Sequence, residues 1–173
     1  YNLGYAHFLL GQSKEAEVAW KISLAVRHQY LGEQHADTVS CRYNLALILA
    51  KQGKHQEAEK EFRDILNIRR SSLVEGHPDV LSSRHHLAEA LFQQGEYNDA
   101  EREFLSLVSQ SIEVLGKSHI ITLRANVALA DLYSSQNKQA EANKLYNEAL
   151  VILVQNYGES HPLTRKVSAE LSA

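Results

Sequence analysis

The 173-residue chain contains no methionine and a single cysteine, and it has no apolar run approaching the ~20 residues that a membrane-crossing helix requires. Cys41 standing alone excludes an internal disulfide. Basic charge in excess is also lacking: 18 Lys and Arg against 21 Asp and Glu leave a formal net charge of −3, with both signs mixed throughout. Nothing in that balance draws the chain to phosphate backbones or anionic membranes, so neither nucleic acid nor membrane is an expected partner. A soluble, cytoplasmic protein is the expectation. The chain holds no glycine-rich phosphate loop, no His-Glu-x-x-His and no Gly-x-Ser-x-Gly, which leaves an enzymatic reading without a motif. No catalytic residue and no cofactor is expected.

What the chain does have is a period. His77-Pro78-Asp79-Val80 has relatives at His35, His119 and His161, each 42 residues from the next with no insertion or deletion between them. A strict period of this size is the mark of a repeat architecture, in which length counts repeats and apolar surface is buried between neighbours. The units are 35–76, 77–118 and 119–160; a partial repeat, 1–34, precedes them and the start of a further helix, 161–173, follows as a cap. Tyr1 enters in mid-repeat, in register with Tyr43, and the chain is therefore expected to be part of a longer parent.

Within one unit, Val80, Leu81, Leu87, Ala88, Leu91 and Phe92 fall at helical spacing and predict an amphipathic helix A over 79 to about 93. Pro78 suits the first helical position because its missing N–H would be unpaired there, and Asp79 complements the helix dipole. Gly95, matched by Gly11, Gly53 and Asn137, marks the stop. Ala100, Phe104, Leu107, Val108 and Ile112 then predict helix B over about 98 to 114. On helix B one register is always alanine (Ala16, Ala58, Ala100, Ala142) and another, four residues on, always aromatic (Trp20, Phe62, Phe104, Tyr146). A small residue admits a facing helix, and the ring fills the space beyond. These aromatics are read as core.

The Leu-Ala or Leu-Gly pair on helix A (Leu3-Gly4, Leu45-Ala46, Leu87-Ala88, Leu129-Ala130), the turn glycine and the Ala-then-aromatic spacing resemble the tetratricopeptide repeat. That repeat commonly has about 34 residues. The 42-residue unit, its His-Pro-Asp opening and its closing Leu31-Gly32 and Leu115-Gly116 resemble the kinesin light chain subclass. The resemblance implies an all-α fold, an α-α superhelix of antiparallel helical hairpins forming a single array over 1–173, and a concave groove lined by helix A.

In that frame the positions just before each Leu-Ala pair face the groove: Tyr1 and Asn2, Tyr43 and Asn44, His85 and His86, Val127 and Ala128. The kinesin light chain family commonly has Asn-Asn-Leu-Ala here, with asparagines that clamp peptide backbone; Asn2 and Asn44 match the second asparagine, whereas His86 and Ala128 depart from it. Tyr5, Leu47, Glu89 and Asp131, two residues past each leucine, also face the groove, giving an aromatic N-terminal wall and a more polar C-terminal one. Arg42, Arg84 and Arg124 bring basic charge close to it. They either brace adjacent helices through carboxylates or read acidic side chains of a bound peptide.

Two sharper chemistries find no support at this level. His85 and His86 are adjacent on a helix and diverge by about 100°, so joint chelation of one ion is not expected, and no metal site is assigned. Cys41 has no oriented base beside it in the pattern. The expected function is a protein-interaction module that holds an extended peptide, acidic in one reading, or a partner helix. The expected setting is the sensor part of a larger signalling or regulatory protein. The alternatives are a cargo adaptor of kinesin light chain type and a self-associating spacer without a peptide ligand.

Overall fold

The computed structural model describes residues 13–172, and among them every regular element is a helix. The chain divides into two compact units, Tyr1–Val74 and Glu75–Ala173. The first contains α1 (Ser13–Leu31), α2 (Ala36–Lys51) and α3 (His55–Ser72), each packed on the next. The second contains α4 (Pro78–Gln93), α5 (Tyr97–Leu115), α6 (Ile120–Ser135), α7 (Gln139–Tyr157) and α8 (Pro162–Glu170). Neighbours in that series pack together, and α4 also touches α6. The division falls two residues before the repeat boundary read from the sequence, where Val74 takes the register held by glycine at 32, 116 and 158. Those three glycines sit at φ between +81° and +86°, which valine avoids for steric reasons.

The periodic histidine has a local job that spacing alone did not reveal. At His35, His77, His119 and His161 the backbone is extended and imidazole Nδ1 accepts a hydrogen bond from the N–H two residues on, at 3.1 to 3.2 Å. Each ring thus satisfies one of the orphan donors of a helix N-terminus, a role more often filled by Ser, Thr, Asp or Asn. Such a bond fixes the tautomer: Nδ1 carries no proton. At the other end of helix A, Gly95 (φ +83°) and its register-mate Asn137 (φ 58°) adopt the left-handed conformation and turn the chain into helix B.

The alanine and aromatic registers fill the interiors. Ala58 and Phe62, Ala100 and Phe104, and Ala142 and Tyr146 are all at most 1 % exposed. In the first unit Ala16, Trp20 and Ile48 form one cluster; in the second, Tyr146 packs with Leu123, Val127, Leu153 and Val167. Val167 comes from α8, with Leu163 and Leu171 packed against the same cluster, so this short helix covers the apolar face of α7.

Candidate functional site: a polar cleft on the second unit

Four of the sequence-predicted groove residues meet in one place. His85, His86 and Glu89 of α4, Arg124, Val127, Ala128 and Asp131 of α6, and Leu163 and Lys166 of α8 line a cleft of about 210 Å³. All three helices are of the A type, the type expected to form the groove wall. A larger cavity of about 340 Å³ lies on the first unit, with Leu24, Leu45, Ile48 and Leu49 at its base. Four of its charged lining residues are paired, Lys21 with Glu17 at 2.6 Å and Arg42 with Glu61 at 3.0 Å, Lys54 and Glu57 line it as well, and Tyr43, Asn44 and Leu47 do not. Size therefore does not select the site; the smaller cleft is where unengaged polar chemistry collects.

Glu89 is its centre. Its carboxylate accepts from or contacts both histidines, His86 Nδ1 at 2.7 Å and His85 Nε2 at 3.4 Å. Burial raises the proton affinity of Glu89, but the neighbouring His85 charge and the two imidazole contacts outweigh it and hold the carboxyl well below the usual range. His86 is lowered, first by burial, against the opposing pull of its Glu89 bond, and its imidazole is accordingly favoured in the neutral form. The His85 ring is 9 % exposed and packs edge-on to Phe104 of α5 at 6.1 Å, with Nδ1 buried and without a hydrogen-bond partner. The divergence expected of adjacent residues fails here. The two rings lie 5.0 Å apart because Glu89, one turn along the same face, gathers both.

One repeat later the same register is built differently. Asp131 replaces Glu89, while Val127 and Ala128 replace the two histidines and offer no donor. Asp131 is instead held by Tyr146 Oη, which donates at 2.6 Å, and by Lys166 at 2.5 Å. Burial and then that Asp131 bond push the Tyr146 phenol far above its ordinary value, so it remains a donor. Lys166 stands 35 residues after Asp131, as Arg124 stands 35 after Glu89. Because the histidines occupy Glu89, Arg124 is left exposed, and no hydrogen bond or ion pair engages its guanidinium among the described residues.

Several groove expectations are corrected. Arg84 is 6 % exposed, and its guanidinium donates to Gln110 (2.6 Å), Ser106 (3.0 Å) and Glu103 (3.2 Å), all on α5. It braces a hairpin and does not face the cleft. Arg42 braces in the same way, through Glu61, Glu33 and Asp64. Val127 and Ala128, at 1 % and 6 % exposure, are wall rather than contact surface. In the first unit Asn44 is buried at 9 % exposure, and Tyr43 is half-buried between the edge of Phe62 at 5.8 Å and the Arg69 guanidinium at 4.7 Å. Leu47 is half-buried on the same helix. Asn2 and Tyr5 lie outside the described residues. Lys166 went unremarked in the sequence, although its 42-residue spacing from Arg124 was there to be read.

With the hairpins and their register on the page, the chain can be placed. The tetratricopeptide repeat profile matches residues 1–71 and 79–153. The chain belongs to the tetratricopeptide repeat family. No curated protein is similar enough in sequence to count as a relative. Solved structures agree on the fold of this tetratricopeptide chain. A protein described as a kinesin light chain from Podosopora anserina, with nearly identical TPR-like repeats, matches at TM-score 0.74 and 24 % identity over 99 % of this chain and 81 % of its own. BtubC (BKLC) from P. vanneervenii matches at TM-score 0.77 and 20 % identity over 98 % and 67 %. A Rap protein solved in complex with Competence and Sporulation Factor matches at TM-score 0.77 and 15 % identity, over 95 % of this chain and 44 % of its own. All three are helical repeat folds, as expected from the 42-residue unit. Among the described residues no helix is long and apolar enough to cross a membrane.

Proposed function

We propose that this tetratricopeptide array is a protein-interaction module whose second unit binds an extended peptide along the face formed by α4, α6 and α8, reading a carboxylate of that peptide with Arg124. Binding is its contribution, and any chemistry belongs to its partners. The observation that carries the reading is Arg124 itself. It is an exposed guanidinium beside a polar cleft, while the comparable cation, Lys166, is already held by Asp131. A planar guanidinium donates two parallel hydrogen bonds to a carboxylate, and the neutral imidazole of His86 adds a further polar contact beside it. The fold shared with a Rap protein crystallised with Competence and Sporulation Factor is consistent with ligand binding in a stacked-hairpin scaffold. A sensor within a signalling protein is the setting in which such a module serves.

The test is capture of peptides from a library by the intact chain, followed by Arg124→Gln on the binders found. Contacts to an exposed guanidinium are screened over a Debye length of about 8 Å at physiological salt. Affinity is expected to fall as salt rises, and the variant is expected to bind more weakly with a flatter salt dependence and an unchanged melting temperature. Salt-insensitive binding that survives Arg124→Gln would move the ligand to an apolar surface centred on Tyr43 and Leu47.

A further inference from the structure

We infer that His85, His86 and Glu89 form a binding site for one divalent transition-metal ion of the zinc class, opening into the cleft between α4 and α6. The inference shares His86 with the peptide reading but uses none of Arg124's chemistry, and its readout is metal binding rather than peptide capture. Its basis is the convergence of three donors of the right kind. One ligand atom from each residue lies within 4.8 Å of the other two. A tetrahedral ion about 2.0 to 2.2 Å from each donor holds them roughly 3.4 Å apart, so donors that now lie up to 4.8 Å from one another must draw in around it. His85 Nε2 stands 3.4 Å from Glu89 Oε1, while His86 Nδ1 stands 2.7 Å from the other oxygen, Oε2, so the carboxylate must turn to present one oxygen to both rings. The Glu89 side chain is 43 % exposed and can make that movement without disturbing the helix.

His85 supplies the second observation. Its side chain is nine-tenths buried and anchored on Phe104, and its Nε2 points at Glu89 Oε1 from 3.4 Å, a weaker contact than the 2.7 Å bond between His86 and Glu89. An ion on Nε2 would replace that long contact with a strong interaction, on a ring whose packing already fixes its direction. Two imidazoles and one carboxylate are borderline donors that select zinc, nickel, copper or cobalt over magnesium or calcium. Three protein ligands leave a fourth position toward the cleft for water or a ligand oxygen.

Surrounding charge does not forbid the ion. Lys166 is neutralised by Asp131, and Arg124 is the cation left to oppose it. The exposed ring of His28 on α1 has no comparable neighbours within the metal cluster and serves as a control.

The experiment titrates the full chain, stripped with a chelator, with zinc by calorimetry and with cobalt by absorption. A saturable one-to-one stoichiometry and a tetrahedral cobalt spectrum are expected. His86→Gln and Glu89→Gln should each weaken zinc binding by at least about tenfold, as loss of a ligand costs no less than loss of its supporting partner, while His28→Gln binds as the parent does. His85 is left intact because its ring is packed in the hairpin. If His86→Gln does not fold by circular dichroism, Glu89→Gln decides. Failure of the parent to bind zinc in a saturable way, or retention of parental affinity by Glu89→Gln, would overturn the site.

Discussion

Leu47 in the first unit and Glu89 and Asp131 in the second hold the same place on their helices, and the two units have put opposite chemistry there. Around Leu47 the neighbouring register positions are Tyr43, clasped by Phe62 and Arg69, and the buried Asn44. Around Glu89 they are two histidines, and around Asp131 they are Val127 and Ala128. The buried face is nearly constant across the same positions: Ala46, Ala88 and Ala130 are each fully buried, as are Phe62, Phe104 and, within 1 %, Tyr146. The difference teaches that the repeat holds constant the alanine and aromatic stripe between its helices, while the adjoining helix A positions vary with their local partners whether buried or exposed. A side chain on the inner stripe meets a fixed neighbour and is punished for changing volume, whereas one on the groove face answers only to its local partners.

The largest test of that contrast removes the constant part. Phe62→Ala and Phe104→Ala are each expected to cost about 3–5 kcal/mol in chemical denaturation, because both rings are fully buried and leave a cavity. Unequal costs would break the equivalence of the two units at its firmest point.

Smaller effects separate the two arginine braces. Arg84, 7 % exposed and bonded to two neutral oxygens besides Glu103, should lose about 1 to 2 kcal/mol on Arg84→Gln. Arg42 contacts only carboxylates, and these are 34 % to 62 % exposed, so Arg42→Gln should cost about 1 kcal/mol or less. Raising salt to 1 M, where the Debye length falls to about 3 Å, should shrink the Arg42 penalty more than the Arg84 penalty. Equal shrinkage would mean that both braces are purely ionic.

The smallest effect checks the histidine caps, which the two units share. His35→Ala and His77→Ala should each cost about 1 kcal/mol, and His77→Asn should recover most of it, since asparagine is a strong cap. Thermal melts of the three variants decide. A cost confined to one unit would show that the cap, though periodic in geometry, is unequal in strength.

The hairpins were legible from the sequence almost to the residue: helix A expected from 79 to about 93 is Pro78–Gln93, and helix B from about 98 to 114 is Tyr97–Leu115. Of the residues expected to face the groove, His85, His86, Glu89 and Asp131 line one cleft, His85 although its ring is buried. Arg84 and Arg124 hold different registers, the first matched by Arg42 and the second by Lys166, yet register alone did not tell which guanidinium is engaged. What distinguishes them is that α5 offers Arg84 three acceptors, whereas Glu89 and Asp131, the carboxylates that share Arg124's cleft, are engaged by His86 and by Lys166.

By itself, then, the sequence determined the 42-residue unit, its two helices, their starts and stops, and the stripe of Ala and aromatic residues that fills each hairpin. These depend on interactions within one or two helical turns or on a periodicity that repeats, and both can be read along a line. Only the tertiary structure decided which polar groups are spent and which remain available. Lys166 reaches Asp131 across 35 positions, Arg84 reaches Glu103 across 19, and His85 and His86 share a carboxylate that helical angles alone would have denied them. Hydrogen bonds and charges are settled by competition among neighbours brought together in space. The identity of the winner is not a property of any single stretch of chain.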